Sequence, residues 1–275
     1  METKEQVLVD LIKKQAKVAI AFSGGIDSVY LTNKAVEVLG KDNVLAVIVN
    51  SELFTDEEFD KAMKTAEAVG VNFQAAFMHE LTNPAIANNR PNTWYHSKKE
   101  LYATIKHVAA SHGFTTIFDG MIMDDAQDFR PGMKARDDAG VSSPLEEAGY
   151  YKQDVRRLAK QDGIDVWNKV ASCSLCSRFP YNTHITPAMI NQVIVGERYM
   201  RSIGFNPVRV RHHGDLVRLE VAPTMIEALL NQREEVTAEF KQLGFLYVAI
   251  DAEGYTEGKM NATLSEADKL ASYTA

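Results

Sequence analysis

The sequence predicts an α/β protein: a doubly wound parallel sheet followed by a small α+β domain. Three observations carry this. Over the first two-thirds of the 275 residues, short apolar runs alternate with longer amphipathic stretches. The hexapeptide Ser23-Gly24-Gly25-Ile26-Asp27-Ser28 separates the first apolar run from the first amphipathic stretch. From about Phe179 the order changes to helix, two strands, helix, strand. Strands that are apolar throughout and alternate with helices pack as a parallel sheet covered on both faces.

Residues 17–22 (KVAIAF) read as a buried strand, 43–50 (NVLAVIVN) as a second, 71–78 as a weaker third and 115–119 (TTIFD) as a fourth. Helices are expected over 27–39, 56–69 and 97–111. Each has apolar positions at 3–4 spacing, and Gly40, Gly70 and Gly113 stand where C-caps belong. In the second part, Thr186-Pro187 begins a helix carrying Met189, Ile190, Val193, Ile194 and Met200. Strands over 208–213 and 216–221 join through a Gly214-Asp215 turn. A helix over 224–243 and a strand over 246–250 complete a unit suited to an antiparallel sheet. The polar tail after Gly254 is expected to be poorly ordered. The boundary falls near residue 180, giving domains 1–180 and 181–275.

Composition narrows the function classes. With 45% hydrophobic and 24% charged residues, the chain has the makings of packed cores. Apolar runs fall short of the roughly 18 residues that cross a bilayer, so no membrane association is expected. The N-terminus, METKEQVLVDLIKKQ, has no compact apolar core, so no secretory signal is expected and the location is cytoplasmic. Thirty basic against thirty-seven acidic residues leave a net charge of −7, which argues against a broad grip on nucleic acid. The two cysteines, Cys173 and Cys176, are a cytosolic usage and no disulfide framework.

The Ser23–Ser28 hexapeptide lies at the carboxyl end of the first strand, where parallel sheets bind ligands. Two glycines let the backbone turn and approach a ligand, and free N–H groups at the helix start cradle an anion. It is neither a Walker A loop nor Gly-x-Gly-x-x-Gly. Asn50 and Ser51 end the second strand and Asp119 and Gly120 the fourth, at the same edge. Cys-x-x-Cys fits several chemistries: half of a zinc site, a redox pair, a nucleophile, or two small buried residues. Neighbouring Ser172, Ser174, Ser177 and Arg178 count against simple burial. Arg209, Arg211 and His213 alternate with Val208 and Val210, so a strand places all three on one face. They suit a phosphate clamp or a solvated face paired with Glu220, and register decides whether Arg218 joins them.

SGGIDS resembles the Ser-Gly-Gly-x-Asp-Ser loop of the N-type ATP pyrophosphatases, the PP-loop superfamily, which implies that type of sheet. In that family the loop holds the pyrophosphate of ATP while AMP is transferred to a second substrate. Longer stretches resemble the LarE group: NSELFTDEEFDKA (50–62), DGM…D..RPG..AR (119–136), WNKVASCSLCSRFPY (167–181) and RVRHH (209–213). The likeness covers nearly the whole chain. LarE proteins are sacrificial sulfur transferases in synthesis of the nickel-pincer nucleotide of lactate racemase. They adenylate a carboxylate of pyridinium-3,5-biscarboxylic acid mononucleotide; a cysteine then gives up its sulfur and is left as dehydroalanine.

The resemblance implies ATP and Mg2+ as cofactors, with Ser23, Gly24, Gly25, Asp27 and Ser28 on the nucleotide and Asp27 on magnesium. Asn50, Ser51, Asp119 and Gly120 are candidates for the adenosine half, and Arg130 for the phosphates or for pairing with Asp128. Cys173 is the implied sulfur donor. Trp94, Lys98, Ser177, Arg178 and Glu197 match the second-substrate pocket, with Glu197 implied in proton transfer or metal contact, and Arg209 and Arg211 suit the substrate phosphate. Cys176 stands where single-cysteine members carry serine. Relatives with three cysteines bind an iron–sulfur cluster, and this chain is one cysteine short of that set. A persulfide or cluster route through Cys176 is the renewable alternative. The family also implies a homohexamer, with pathway partners that supply the pyridinium mononucleotide and consume the product. The competing readings are an amidating synthetase, for which there is little room for a glutaminase, a tRNA thiolase, which the acidic balance disfavours, and a nucleotide-binding regulator that keeps the fold without turnover.

Overall fold

The computed structural model describes residues 3–127, 131–164, 174–256 and 258–274. The chain divides into two compact units, Met1–Glu80 with Trp94–Ser172, and Leu81–Thr93 with Cys173–Ala275. In chain order the first runs α1 (Lys4–Lys13), β1 (Val18–Ala21), α2 (Ile26–Leu39), β2 (Val44–Asn50), α3 (Asp56–Val69) and β3 (Asn72–Phe77). The short α4 (Pro84–Ala87) belongs to the second unit. The first resumes with α5 (Thr93–Ser111), β4 (Ile117–Phe118), α6 (Pro131–Ala139), α7 (Pro144–Glu147) and α8 (Lys152–Gln161).

The four strands form a sheet in the order β3-β2-β1-β4, every pair parallel. Ala19 stands opposite Leu45 on one side and Ile117 on the other. Alternate strand residues face opposite ways, and both sides are covered. Ile20, Ala46 and Ile48 pack with Leu8, Ile12, Val29, Tyr30, Leu145 and Val155. Ala19, Leu45, Val47 and Ile117 pack with Tyr102, Ile105 and Ala109 of α5. The sheet thus has the doubly wound plan and PP-loop type expected from its sequence. From β1 the chain winds outward through β2 to β3, then returns to place β4 on β1's other side. That switch point lies between β1 and β4, the place where such sheets bind ligands.

The helix α1 was not expected. Its Leu8 and Ile12, four residues apart, are fully buried, and Thr3 Oγ1 caps it by accepting from Gln6 N.

The second unit contains α9 (Pro187–Ser202), β5 (Val208–His213), β6 (Leu216–Val221), α10 (Ile226–Asn231), α11 (Arg233–Gln242), β7 (Tyr247–Ile250) and α12 (Glu266–Thr274). Leu81–Thr93 joins it through backbone bonds: Asn182 N donates to Asn89 O at 2.9 Å and Ile185 N to Ala87 O at 2.7 Å. Three expectations are corrected here. The sheet is mixed, β5–β6 antiparallel but β6–β7 parallel. Two helices intervene between β6 and β7, and such a crossover brings the chain back in the same direction. The helix expected over 224–243 is broken at Gln232, whose φ of −101° and ψ of 12° lie outside the helical range. The tail is built rather than loose: Ser265 and Asp268 cap α12 reciprocally, and Lys259 pairs with Asp251 at 2.7 Å. No helix among the described residues is long and apolar enough to cross a membrane.

Candidate active site

In the first unit, the loop between β1 and α2 is shaped by its glycines and serines. Gly24 has φ +66°, and a Cβ there would lie 2.8 Å from Ala62 Cα. Glycine is therefore required on both conformational and steric grounds. Ser28 Oγ donates to Gly25 O at 3.0 Å and accepts from Ser23 N at 3.3 Å, and Gly25 N donates to Ser23 Oγ at 3.3 Å. With Gly25 as N-cap, α2 starts without a side-chain cap, leaving its leading N–H groups for an anion. From just beyond β4, Gly120 comes so close that a Cβ would meet Ser28 N at 2.8 Å.

Asp27 follows at the first turn of α2. Its Oδ2 accepts from Lys152 Nζ at 2.5 Å, while Oδ1 is buried with no hydrogen-bond partner. Burial raises the Asp27 carboxyl above the ordinary range and the Asp125 charge adds to this, against the pull of Lys152. A buried carboxylate oxygen with no donor suits a hard divalent cation, so Asp27 fits magnesium.

The carboxyl end of β2 is locked from within. Asn50 Oδ1 accepts from Ser51 N at 2.9 Å and its Nδ2 donates to Asp56 Oδ1 at 3.2 Å. Glu80, 0% exposed, takes a very short bond from Ser51 Oγ and one from Ser97 Oγ at 2.5 Å. Burial raises the Glu80 carboxyl, and the two serine bonds oppose that rise. Asp119 is likewise committed: Tyr102 Oη donates to Oδ2 and Ser143 Oγ to Oδ1, each at 2.6 Å. Trp94 and Lys98 stand one turn apart at the start of α5, both half-buried, with Lys98 Nζ 5.6 Å from the Tyr102 ring centroid. Arg130 and Cys173 lie outside the described residues.

In the second unit the structure gathers Ser177, Arg178, Glu197 and Arg211. Glu197, which a helical position would leave in solvent, is 4% exposed. Its carboxylate pairs with Arg178 Nε at 2.8 Å and accepts from Val210 N at 3.2 Å. Burial would raise the Glu197 carboxyl, but Arg178, with Arg209 behind it, holds it below the ordinary range. Arg211 donates to Ser177 O at 2.5 Å and to Glu220 Oε2 at 2.6 Å, while its Nε is buried without a partner. Register sets Arg218 opposite Arg211, and Arg218 shares Glu220 at 2.9 Å. Arg209 stacks over Tyr255 at 4.8 Å. His212 turns to the other face, between Phe179 and Phe245.

Cys176 is 1% exposed, in the turn Leu175–Arg178. That turn hangs on Asn89, fully buried at φ 44°, whose Nδ2 donates to Phe179 O and Pro180 O at 3.1 Å each. Asn89→Ala is expected to destabilise the protein by about 1–3 kcal/mol for each carbonyl left unpaired. Urea unfolding measures this, and a wild-type midpoint would show that the carbonyls find other partners. Asn89, Glu80 and Lys152 carry no motif. Their partners stand far away in the chain, 125 residues in the case of Asp27 and Lys152.

Comparison with known proteins accords with this geometry. The NAD synthase family matches residues 2–118. The chain is 48% identical over 267 residues to the pyridinium-3,5-bisthiocarboxylic acid mononucleotide synthase of Lactiplantibacillus plantarum, covering 97% of each sequence. An uncharacterised protein of Synechocystis is 35% identical over 97% of this chain and 100% of its own. A glutamine-dependent NAD(+) synthetase of Aquifex aeolicus matches over only 76 residues, at 33% identity, 27% of this chain and 13% of its own. The likeness to the NAD synthase family thus stops at residue 118, whereas that to the mononucleotide synthase runs nearly end to end, and the chain belongs to the LarE family of pyridinium-3,5-bisthiocarboxylic acid mononucleotide synthases, built on the PP-loop fold.

Proposed function

We propose that this protein is an ATP-dependent sacrificial sulfur transferase that acts on pyridinium-3,5-biscarboxylic acid mononucleotide in nickel-pincer nucleotide synthesis. The observation that carries the reading is the near-full-length identity to the synthase of L. plantarum. The phosphate loop at the switch point of the sheet supports it.

Loop N–H groups with the Ser23 and Ser28 hydroxyls hold the β- and γ-phosphates of ATP. Magnesium, when bound on Asp27, supplies charge neutralisation to those phosphates. A substrate carboxylate oxygen attacks the α-phosphorus, the bond to the β-phosphate oxygen breaks, and pyrophosphate leaves. The Cys173 thiolate then attacks the acyl carbon, and AMP departs with the former carboxylate oxygen, leaving a thioester. Removal of the Cys173 Cα proton sends its electron pair to form the Cα–Cβ double bond as the Cβ–S bond breaks. The products are a thiocarboxylate and dehydroalanine.

Arg209 and Arg211 serve the substrate phosphate, Arg211 through its unpartnered Nε. Trp94, Lys98, Ser177 and Arg178 complete the substrate contacts. Asn50, Ser51, Asp119 and Gly120 shape the adenosine side, with Asp119 acting through the backbone it anchors. Glu197 holds the Arg178 guanidinium in place, which makes it a positioning residue.

Intact-mass analysis after reaction with ATP, magnesium and the pyridinium mononucleotide tests the reading. The expected result is loss of one hydrogen sulfide equivalent, mapped to Cys173, with activity retained in Cys176→Ser. Thiolated product beside an unchanged protein mass, or sulfur transfer by Cys173→Ala, would sink it in favour of a renewable carrier.

A further inference from the structure

Lys152 lies outside every motif of the sequence, yet its Nζ sits 2.5 Å from the phosphate-loop carboxylate, Asp27 Oδ2. The lysine is placed independently of that pair. It opens α8, and its backbone N–H donates to Asp124 Oδ2 at 2.7 Å. The same turn is pinned by Asp154, which accepts from Tyr151 N at 3.1 Å and pairs with Lys4 Nζ at 2.7 Å. The Lys152 side chain keeps 31% of its surface exposed.

Charge balance gives this position its meaning. A Walker loop carries its own lysine for the phosphates. The hexapeptide SGGIDS has no basic residue, only hydroxyls, N–H groups and one carboxylate. Asp27 also feels the negative charge of Asp125. A pyrophosphate group brought to this loop therefore adds several negative charges beside two carboxylates, in partly desolvated surroundings where like charges repel strongly. The fold answers by delivering a cation from 125 residues further along the chain.

We propose that Lys152 is the phosphate-binding cation of this loop. It neutralises Asp27 before nucleotide arrives. When a divalent cation takes over Asp27, the ammonium passes to the pyrophosphate moiety of the incoming ligand. The ligand class is a nucleoside triphosphate or free inorganic pyrophosphate, and the assignment rests on the ATP-binding reading of the loop.

Titration calorimetry of the wild-type chain, Lys152→Met and Lys152→Arg against ATP, inorganic pyrophosphate and AMP, each with magnesium, tests it. Lys152→Met is expected to weaken ATP and pyrophosphate by about tenfold or more, the loss of one charge-assisted bond, while AMP stays within about twofold. Lys152→Arg, which keeps the charge, is expected to bind ATP within about threefold of wild type, a difference well below one such bond. Wild-type ATP affinity in Lys152→Met overturns the assignment, even if its melting temperature falls, because the pair then only ties α8 to α2. An equal loss for AMP, or an arginine variant as weak as the methionine one, overturns it too. Binding of ATP alone, without pyrophosphate, places the ligand as the intact nucleotide and supports the assignment if Lys152→Met loses it. A wild-type chain that binds neither ATP nor pyrophosphate removes the nucleotide reading itself, a failure distinct from that of Lys152.

Discussion

Gly24→Ala is expected to cut ATP-dependent pyrophosphate release by about a hundredfold, since a misplacement of about 1 Å costs that much at a reacting centre. Two independent penalties fall on the new methyl. The backbone at φ +66° is one that L side chains rarely adopt, which costs about 1–2 kcal/mol by itself. The Cβ would also stand 2.8 Å from Ala62 Cα, and backbone of α3 cannot swing away as a flexible side chain does. The loop must shift instead, carrying the Ser23 and Ser28 hydroxyls off their positions. Single-turnover pyrophosphate release, with circular dichroism to confirm the fold, reads the effect. An alanine protein with the wild-type single-turnover rate and ATP dependence would show that the loop does not hold the phosphates in this conformation.

Glu197→Ala is expected to destabilise the protein by about 3–5 kcal/mol, the range for leaving one member of a buried ion pair uncompensated. Arg178 would be left buried against no carboxylate, and Val210 N would lose its acceptor. The pair also carries a pH signature. The folded Glu197 carboxyl lies below its ordinary value, so its contribution is fully present above the unfolded carboxylate range. It is lost as pH falls below that range and through the folded value. The stability gap between wild type and the alanine variant should therefore be constant near neutrality and narrow in acid. Chemical unfolding across pH measures this. A gap unchanged into strong acid would mean that the carboxylate is not what Arg178 depends on. The substrate side should suffer as well, because Arg178 also donates to Ser177 Oγ at 2.7 Å.

The two sites differ in how far their parts were legible from the sequence. The loop Ser23–Ser28 is contiguous, so its glycines, hydroxyls and helix start are visible in six letters. Asp119 and Gly120 follow the fourth strand as the sequence suggests, yet only the packing shows that Gly120 presses on Ser28 while the Asp119 carboxylate fastens β4. The basic strand illustrates the same division. Its alternation put Arg209 and Arg211 on one face, but the pairing of Arg211 with Glu220 depended on the register of β5 against β6.

The errors differ in origin. A helix between two strands already signals a crossover, so the parallel β6–β7 pair was within reach of the pattern. The break at Gln232 and the ordering of the tail were not, because each rests on bonds local propensity does not register. Asn89 marks the limit most sharply: nothing in its neighbourhood separates it from other loop asparagines, and its role comes from carbonyls 90 and 91 residues away.

By itself the sequence determined most of the periodic elements, the parallel sheet, the Ser23–Ser28 loop and the family, because periodicity and contiguous motifs are properties of short segments. Tertiary structure alone decided which partners each charge meets: Lys152 on Asp27, Glu80 between two serines, Glu197 on Arg178. Those pairings join residues remote in the chain, and their energies depend on burial and distance, which exist only once the chain has folded.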